Sequence, residues 1–213
     1  MPTLDAIHWG PASKAQPKQL VVLCHGLGAD AFDLIDLAPS WSHACPDAIF
    51  ASVHAPFPHD SGFGRQWWGV ADRSPAVMEA GVRTAAPYLH GFLDAELARL
   101  GLADYAIMGF SQGAMMSLFT GLRHAAAPRA ILAFSGALIA PDSLPKEIRN
   151  RAPVLLVHGE ADEVVPVDRS RDAEAGLKAA SVPVEAHYIP RLGHGIDDTG
   201  ISLGALALQK GFS

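Results

Sequence analysis

Short apolar runs alternate along this chain with longer segments whose apolar residues recur every three or four positions. The runs at 6–9, 20–24, 48–53, 105–108, 130–134, 154–157 and 184–189 are rich in Val, Ile and Leu, and most lack polar alternation. Such runs read as strands covered on both faces. Between them, segments 76–100, 112–123, 168–180 and 201–210 have helical character, and Gly211 is placed to end the last. Within 78–100, Val82, Ala85, Ala86, Leu89, Leu93 and Leu97 form a core-facing stripe, with Pro87 a candidate kink. Alternation of this kind builds βαβ units. The expected architecture is therefore α/β, a mainly parallel central sheet of about seven strands with helices on both faces. The stretch 55–69 is rich in Pro and Gly but too aromatic for a linker. A loop of that length between a strand and a helix is more often functional than idle.

Composition narrows the picture. With 213 residues, 49% of them hydrophobic and 18% charged, the chain can build one sizeable core, and one domain over 1–213 is expected. A net charge of −6 with scattered Lys and Arg leaves no basic footprint, so no nucleic acid partner is expected. Every hydrophobic run is interrupted before the roughly 18 residues of a spanning helix, which argues against integral membrane association. Met1-Pro2-Thr3-Leu4-Asp5 lacks a basic start followed by an apolar run, and a cytoplasmic protein is expected. Cys24 and Cys45 form no C-x-x-C pair, so neither a zinc knuckle nor a dithiol motif can be drawn from them.

Chemistry enters at Gly109-Phe110-Ser111-Gln112-Gly113, which follows the strand-like 105–108 and opens a helix. This is G-x-S-x-G in the context it requires: the chain reverses sharply, exposes Ser111 above the sheet, and needs glycines where side chains would collide. Upstream, the strand 20–24 runs into His25-Gly26-Leu27-Gly28. An early loop of this kind supplies one backbone N–H to an oxyanion, so Leu27 N–H and Gln112 N–H are the expected pair of donors. His25 reads as a brace for that loop. A third strand exits into His158-Gly159-Glu160-Ala161-Asp162-Glu163-Val164-Val165-Pro166. Of its three acids, Asp162, just ahead of Val164-Val165-Pro166, is the candidate to orient a histidine. After the last strand comes Gly193-His194-Gly195, whose glycines would let the imidazole reach the serine. His158 precedes the acid and reads as structural. The order Ser111, Asp162, His194 is that of α/β-hydrolases. It predicts nucleophilic attack by Ser111 with His194 as base and acid, and requires no metal or organic cofactor.

Taken together, Leu23-Cys24-His25-Gly26-Leu27-Gly28-Ala29-Asp30, the serine block, the 158–166 block and Gly193-His194 resemble the phospholipase/carboxylesterase family, which includes bacterial carboxylesterases and acyl-protein thioesterases. The resemblance extends over nearly the whole chain. It implies the α/β-hydrolase fold, the triad Ser111, Asp162 and His194, the donors Leu27 and Gln112, and hydrolysis of small-molecule or lipid esters, with lysophospholipids and S-acylated proteins as candidate substrates. It also implies a tryptophan-bearing loop at Gly64-Arg65-Gln66-Trp67-Trp68 that lines the acyl pocket, with Trp67 as the expected equivalent; Trp68 and Phe63 of the same aromatic stretch are further expected substrate contacts. Ala114 stands where many members have glycine, and Trp68 is an unusual second tryptophan. A homodimer shielding this loop would be in keeping with the family. Two other readings stay open, a noncatalytic binding protein on the same fold and an acyltransferase that uses the same acyl-serine.

Overall fold

The computed structural model describes residues 4–213. Strands β1 (Ala6–Trp9), β2 (Gln19–Cys24) and β3 (Ala48–Val53) precede a two-stranded ribbon of β4 (Phe57–Pro58) and β5 (Arg65–Gln66). They are followed by β6 (Tyr105–Phe110), β7 (Ile131–Phe134), β8 (Val154–Gly159) and β9 (Val184–Ile189). The helices are α1 (Ala31–Ile35), α2 (Ala38–Trp41), α3 (Pro75–Leu100), α4 (Gln112–Arg123), α5 (Leu144–Glu147), α6 (Asp168–Ala179) and α7 (Asp198–Phe212). Seven strands form one sheet in the order β1-β3-β2-β6-β7-β8-β9. Only the β1–β3 pairing in it is antiparallel. This is the mainly parallel α/β sheet of seven strands expected from the alternation of runs.

The unbroken apolar runs follow from burial on both faces. Successive side chains of a strand point to opposite sides, so Leu20, Val22 and Cys24 of β2 join one core while Val21 and Leu23 join the other. The first core is roofed by α3, α4 and α6, which contribute Leu89, Leu118 and Leu177. The second is closed by Trp41 of α2 and Leu208 of α7. Trp41 donates its indole N–H to Ile201 O at 2.9 Å and leaves no room for a side chain at Gly204, which fixes α2 on α7.

All six residues of the predicted α3 stripe are buried, and the helix continues through Pro87 without interruption. The last helix differs from its predicted limits. Asp197 caps it by accepting from Gly200 N at 2.8 Å, so it begins ahead of the apolar pattern, and it continues through Gly211 to Phe212. The ribbon and the three short helices carry too few residues for a period to register. No helix among the described residues is long and apolar enough to cross a membrane.

Helices α3, α4 and α5 are tied through Glu147. It accepts from Arg123 Nε and from Arg83 Nη2, both at 2.8 Å, and from Ser143 Oγ at 2.9 Å. Burial alone would raise the Glu147 carboxyl, but donation by Arg123, Arg83 and Ser143 outweighs it, and the pKa falls from 4.5 to about 2. A depressed carboxyl contributes stability above its unfolded pKa and loses it as pH falls through the folded one. Glu147→Gln is therefore expected to lower Tm at neutral pH, with the gap from wild type closing between about pH 4.5 and about pH 2. Thermal melts of both proteins across that range check this, and a gap independent of pH would contradict it.

Candidate active site

Parallel strands deliver their exit loops to one edge of the sheet, and all the motif loops gather there. Ser111 lies between β6 and α4 with φ +55° and ψ −118°. Its N–H donates to Phe134 O at 2.8 Å, and its carbonyl accepts from Ala114 and Met115 at 3.0 and 3.2 Å, so the turn is held from both sides. The reversal brings backbones into near contact. A Cβ on Gly113 would stand 1.9 Å from Cys24 O, and one on Gly109 would stand 2.1 Å from Gly113 O. Only glycine fits at either position.

His194 Nε2 lies 3.0 Å from Ser111 Oγ, and its Nδ1 lies 2.7 Å from Asp162 Oδ2. A carboxylate can only accept, so the proton is on Nδ1 and Nε2 is left to accept from the serine hydroxyl. Phe110 packs against the imidazole at a centroid distance of 4.8 Å. Asp162 is itself surrounded by donors. Its Oδ1 accepts from Val164 N and Val165 N, each at 2.9 Å, and Oδ2 also lies 3.1 Å from His158 Nε2. Burial raises the carboxyl, yet the bonds from His194, Val165 and Val164 outweigh it, and Asp162 titrates below the usual carboxylate range. Its competitors lie elsewhere: Glu160 pairs with Arg171 at 3.1 Å, and Glu163 is exposed.

His158 is a buried brace, as its position ahead of the acid suggested. Its Nε2–H donates to Val165 O at 2.8 Å, which leaves Nδ1 to accept from Ser170 Oγ at 2.6 Å. His25 likewise braces its own loop, with Nδ1–H donating to Gly26 O at 2.7 Å and Nε2 accepting from Ala55 N at 3.0 Å. The glycines beside His194 are not demanded by crowding, since a Cβ at Gly193 or Gly195 would meet nothing closer than 3.9 Å.

Leu27 is half-buried in the turn after β2, beside the serine: a Cβ on the neighbouring Gly26 would stand 3.3 Å from Ser111 Cβ. Gln112 opens α4, so its N–H has no intrahelical acceptor. The Gln112 side chain has a part the motif does not reveal. Its Oε1 accepts from Trp67 N at 2.9 Å, and its Nε2 donates to Trp68 O at 2.8 Å. The expectation that Trp67 and Trp68 line a pocket meets two buried rings. Trp67 is 0% exposed and Trp68 4%. Trp67 donates its indole N–H to His25 O at 3.0 Å, while Trp68 packs on Gly81 and points Nε1 at Met78 Sδ. Both rings are anchored by hydrogen bonds and packing that a surface indole would lack. Phe63, between β4 and β5, is 84% exposed. Among the described residues, no group of three or more His, Cys, Asp and Glu is arranged to hold a metal ion.

Comparison with known proteins gives the family of the chain. The chain is 27% identical over 186 residues to esterase YpfH of Escherichia coli K12, covering 85% of this chain and 78% of that protein. It is 30% identical over 204 residues to a probable inactive carboxylesterase of Oryza sativa, covering 88% and 82%. The crystal structure of esterase PE8 superposes with a TM-score of 0.91 at 37% identity, over 98% of this chain and 99% of that one. The family model for phospholipase/carboxylesterase matches residues 11–205. On that match, the chain belongs to the phospholipase/carboxylesterase family of α/β-hydrolases.

Proposed function

We propose that this chain hydrolyses carboxylic esters through an acyl-serine on Ser111, with His194 as general base and acid and Asp162 as the carboxylate that orients it. The observation that carries the reading is the pair of hydrogen bonds linking the three side chains, 3.0 Å from Ser111 to His194 and 2.7 Å from His194 to Asp162. His194 Nε2 takes the hydroxyl proton as Ser111 Oγ attacks the ester carbonyl, and then returns it to the departing alcohol or thiol. Water repeats the sequence on the acyl-enzyme and regenerates the serine. Asp162, held ionised by its donors, keeps the Nδ1–H tautomer and stabilises the imidazolium formed in each half-reaction.

The tetrahedral oxygen would be received by the N–H groups of Leu27 and Gln112. Each donor of this kind contributes about 3 to 4 kcal/mol to the barrier. Phe63 stands exposed next to Gly64, whose backbone touches Gly28 of the oxyanion loop, and is the proposed contact for the alkyl part of the substrate. With the Trp67 and Trp68 rings packed into the core and unavailable to the acyl group, the acyl surface proposed here is a short one suited to small esters.

Two measurements test this. Steady-state hydrolysis of p-nitrophenyl esters is expected to be fastest for short acyl chains and to disappear in Ser111→Ala. A maximum at long chains would overturn the short-surface reading alone, whereas a folded wild type inactive on every ester would favour a noncatalytic binding protein. Asp162→Asn replaces one accepting oxygen with an NH2 that faces N–H donors, and kcat should fall by about 10³- to 10⁴-fold with little change in KM. A loss under tenfold would remove Asp162 from the proposed role.

A further inference from the structure

The two proposed oxyanion donors belong to different elements, the turn after β2 and the first residue of α4. A shared oxygen must lie about 3 Å from both N–H groups, so their separation has to be held as tightly as a bond network allows. Trp67 touches both elements at once. Its backbone N–H donates to Gln112 Oε1 at 2.9 Å, and Gln112 Nε2 donates to Trp68 O at 2.8 Å, so the amide side chain pairs with the 67–68 backbone as a neighbouring strand would. Its indole N–H reaches the other way and donates to His25 O at 3.0 Å. His25 is itself pinned between Gly26 O and Ala55 N, and burial keeps its imidazole neutral, consistent with those two roles.

The same ribbon lies flat on the rest of the oxyanion turn. Gly28 N donates to Arg65 O, and Arg65 N donates to Ala29 O, both at 2.8 Å. Gly64 permits this approach: it has φ +70°, and a Cβ there would stand 1.9 Å from Gly28 O. Residues 25, 26, 28 and 29 on either side of Leu27 are thus each tied down, and among the described residues Trp67 is the one whose hydrogen bonds reach both this turn and the side chain of the second proposed donor.

We propose that Trp67, with the side-chain amide of Gln112, is a positioning bracket that sets the distance between the two oxyanion N–H groups, in place of a substrate contact. The proposal rests on the acyl-serine reading above. Trp67 would act on transition-state stabilisation without touching substrate, and the Gln112 side chain would serve a purpose separate from that of its own backbone N–H.

Trp67→Phe keeps an aromatic ring in the buried slot and removes the indole N–H. Gln112→Met keeps the length of the side chain and the backbone donor but removes both amide bonds. With p-nitrophenyl acetate, each variant is expected to lower kcat by about tenfold, a fraction of the loss from deleting a donor outright, with KM within about twofold of wild type. Affinity for an alkyl trifluoromethyl ketone, which forms a tetrahedral adduct on serine, should fall by the same factor as kcat/KM, while affinity for the matching methyl ketone stays put. In the double variant the losses should combine to less than their product, because both changes open one bracket. Prolonged labelling with a fluorophosphonate should still reach one site per chain in each variant. A lower Tm with kcat and trifluoromethyl ketone affinity unchanged, or a loss confined to KM, would overturn the bracket and leave the acyl-serine reading intact. A Ser111→Ala protein that still turns over ester, or a wild type that takes up no fluorophosphonate, would overturn both. If Trp67→Phe does not fold, Gln112→Met alone decides by the same kinetic criteria.

Discussion

A non-glycine residue held at φ +55° at the end of a central strand is the constraint around which this molecule is arranged. A conformation of that kind costs on the order of 1–3 kcal/mol and persists only where its surroundings over-determine it. Here the surroundings are the backbones of three neighbouring elements. Phe134 at the end of β7 accepts from Ser111 N, Ala114 and Met115 in the first turn of α4 donate to its carbonyl, and Cys24 at the end of β2 lies against Gly113. The parallel order that places β6 between β2 and β7 is thus what makes the turn tenable. The apolar content of these strands follows, since a strand flanked on both sides and roofed on both faces has no place for polar alternation.

The remaining loops sort into two halves on either side of β7. On one side the exits of β2 and β6 touch each other through Gly113 and Cys24 and carry Ser111 and the turn around Leu27. On the other, the exits of β8 and β9 are stitched together by Glu160 N to Ile189 O and Ala161 N to Leu192 O, each at 2.9 Å, and carry Asp162 and His194. Each half is tied within itself by these contacts. Between them the His194–Ser111 hydrogen bond and the packing of Phe110 on the imidazole make the connection. The N–H groups of Val164 and Val165 therefore matter beyond electrostatics: they fix the Asp162 carboxylate in its own half, where His194 Nδ1 meets it.

Legibility in the sequence follows the range of the interactions involved. The seven strands of the sheet and the long helices were readable because a run of Val, Ile and Leu, or a stripe at three and four, records burial locally. Ser111 and its glycines were readable for the same reason, the collision between Gly109 and Gly113 being a matter of neighbours in the chain. Asp162 was singled out from three nearby acids by its place just ahead of Val164-Val165-Pro166, and its Oδ1 accepts from the N–H groups of Val164 and Val165, two and three residues on. The ribbon β4–β5 was not readable. Two-residue strands have no period, and what holds them is pairing with residues 28 and 29, far away in sequence. The start of α7 was misplaced because Asp197 sets it through a cap and not through hydrophobicity.

The tryptophans show where motif reasoning stops. The resemblance implied substrate contacts at Trp67 and Trp68, whereas both rings are buried, because a likeness of motifs records which side chain is present but not which way it faces. Trp67 is buried in the core with two hydrogen bonds, one to the carbonyl of residue 25 and one to the side chain of residue 112, neither of which leaves any trace near position 67. Gln112 presents the complementary difficulty. Where a residue is required for its backbone N–H, its side chain is free to take up an unrelated task. A pattern such as G-x-S-x-G, which leaves position 112 unspecified, cannot separate the two. The amide pairing with the 67–68 backbone is a task that only a side chain with one donor and one acceptor on the same carbon can perform, which is a physical reason to find Gln there that the elbow by itself does not supply.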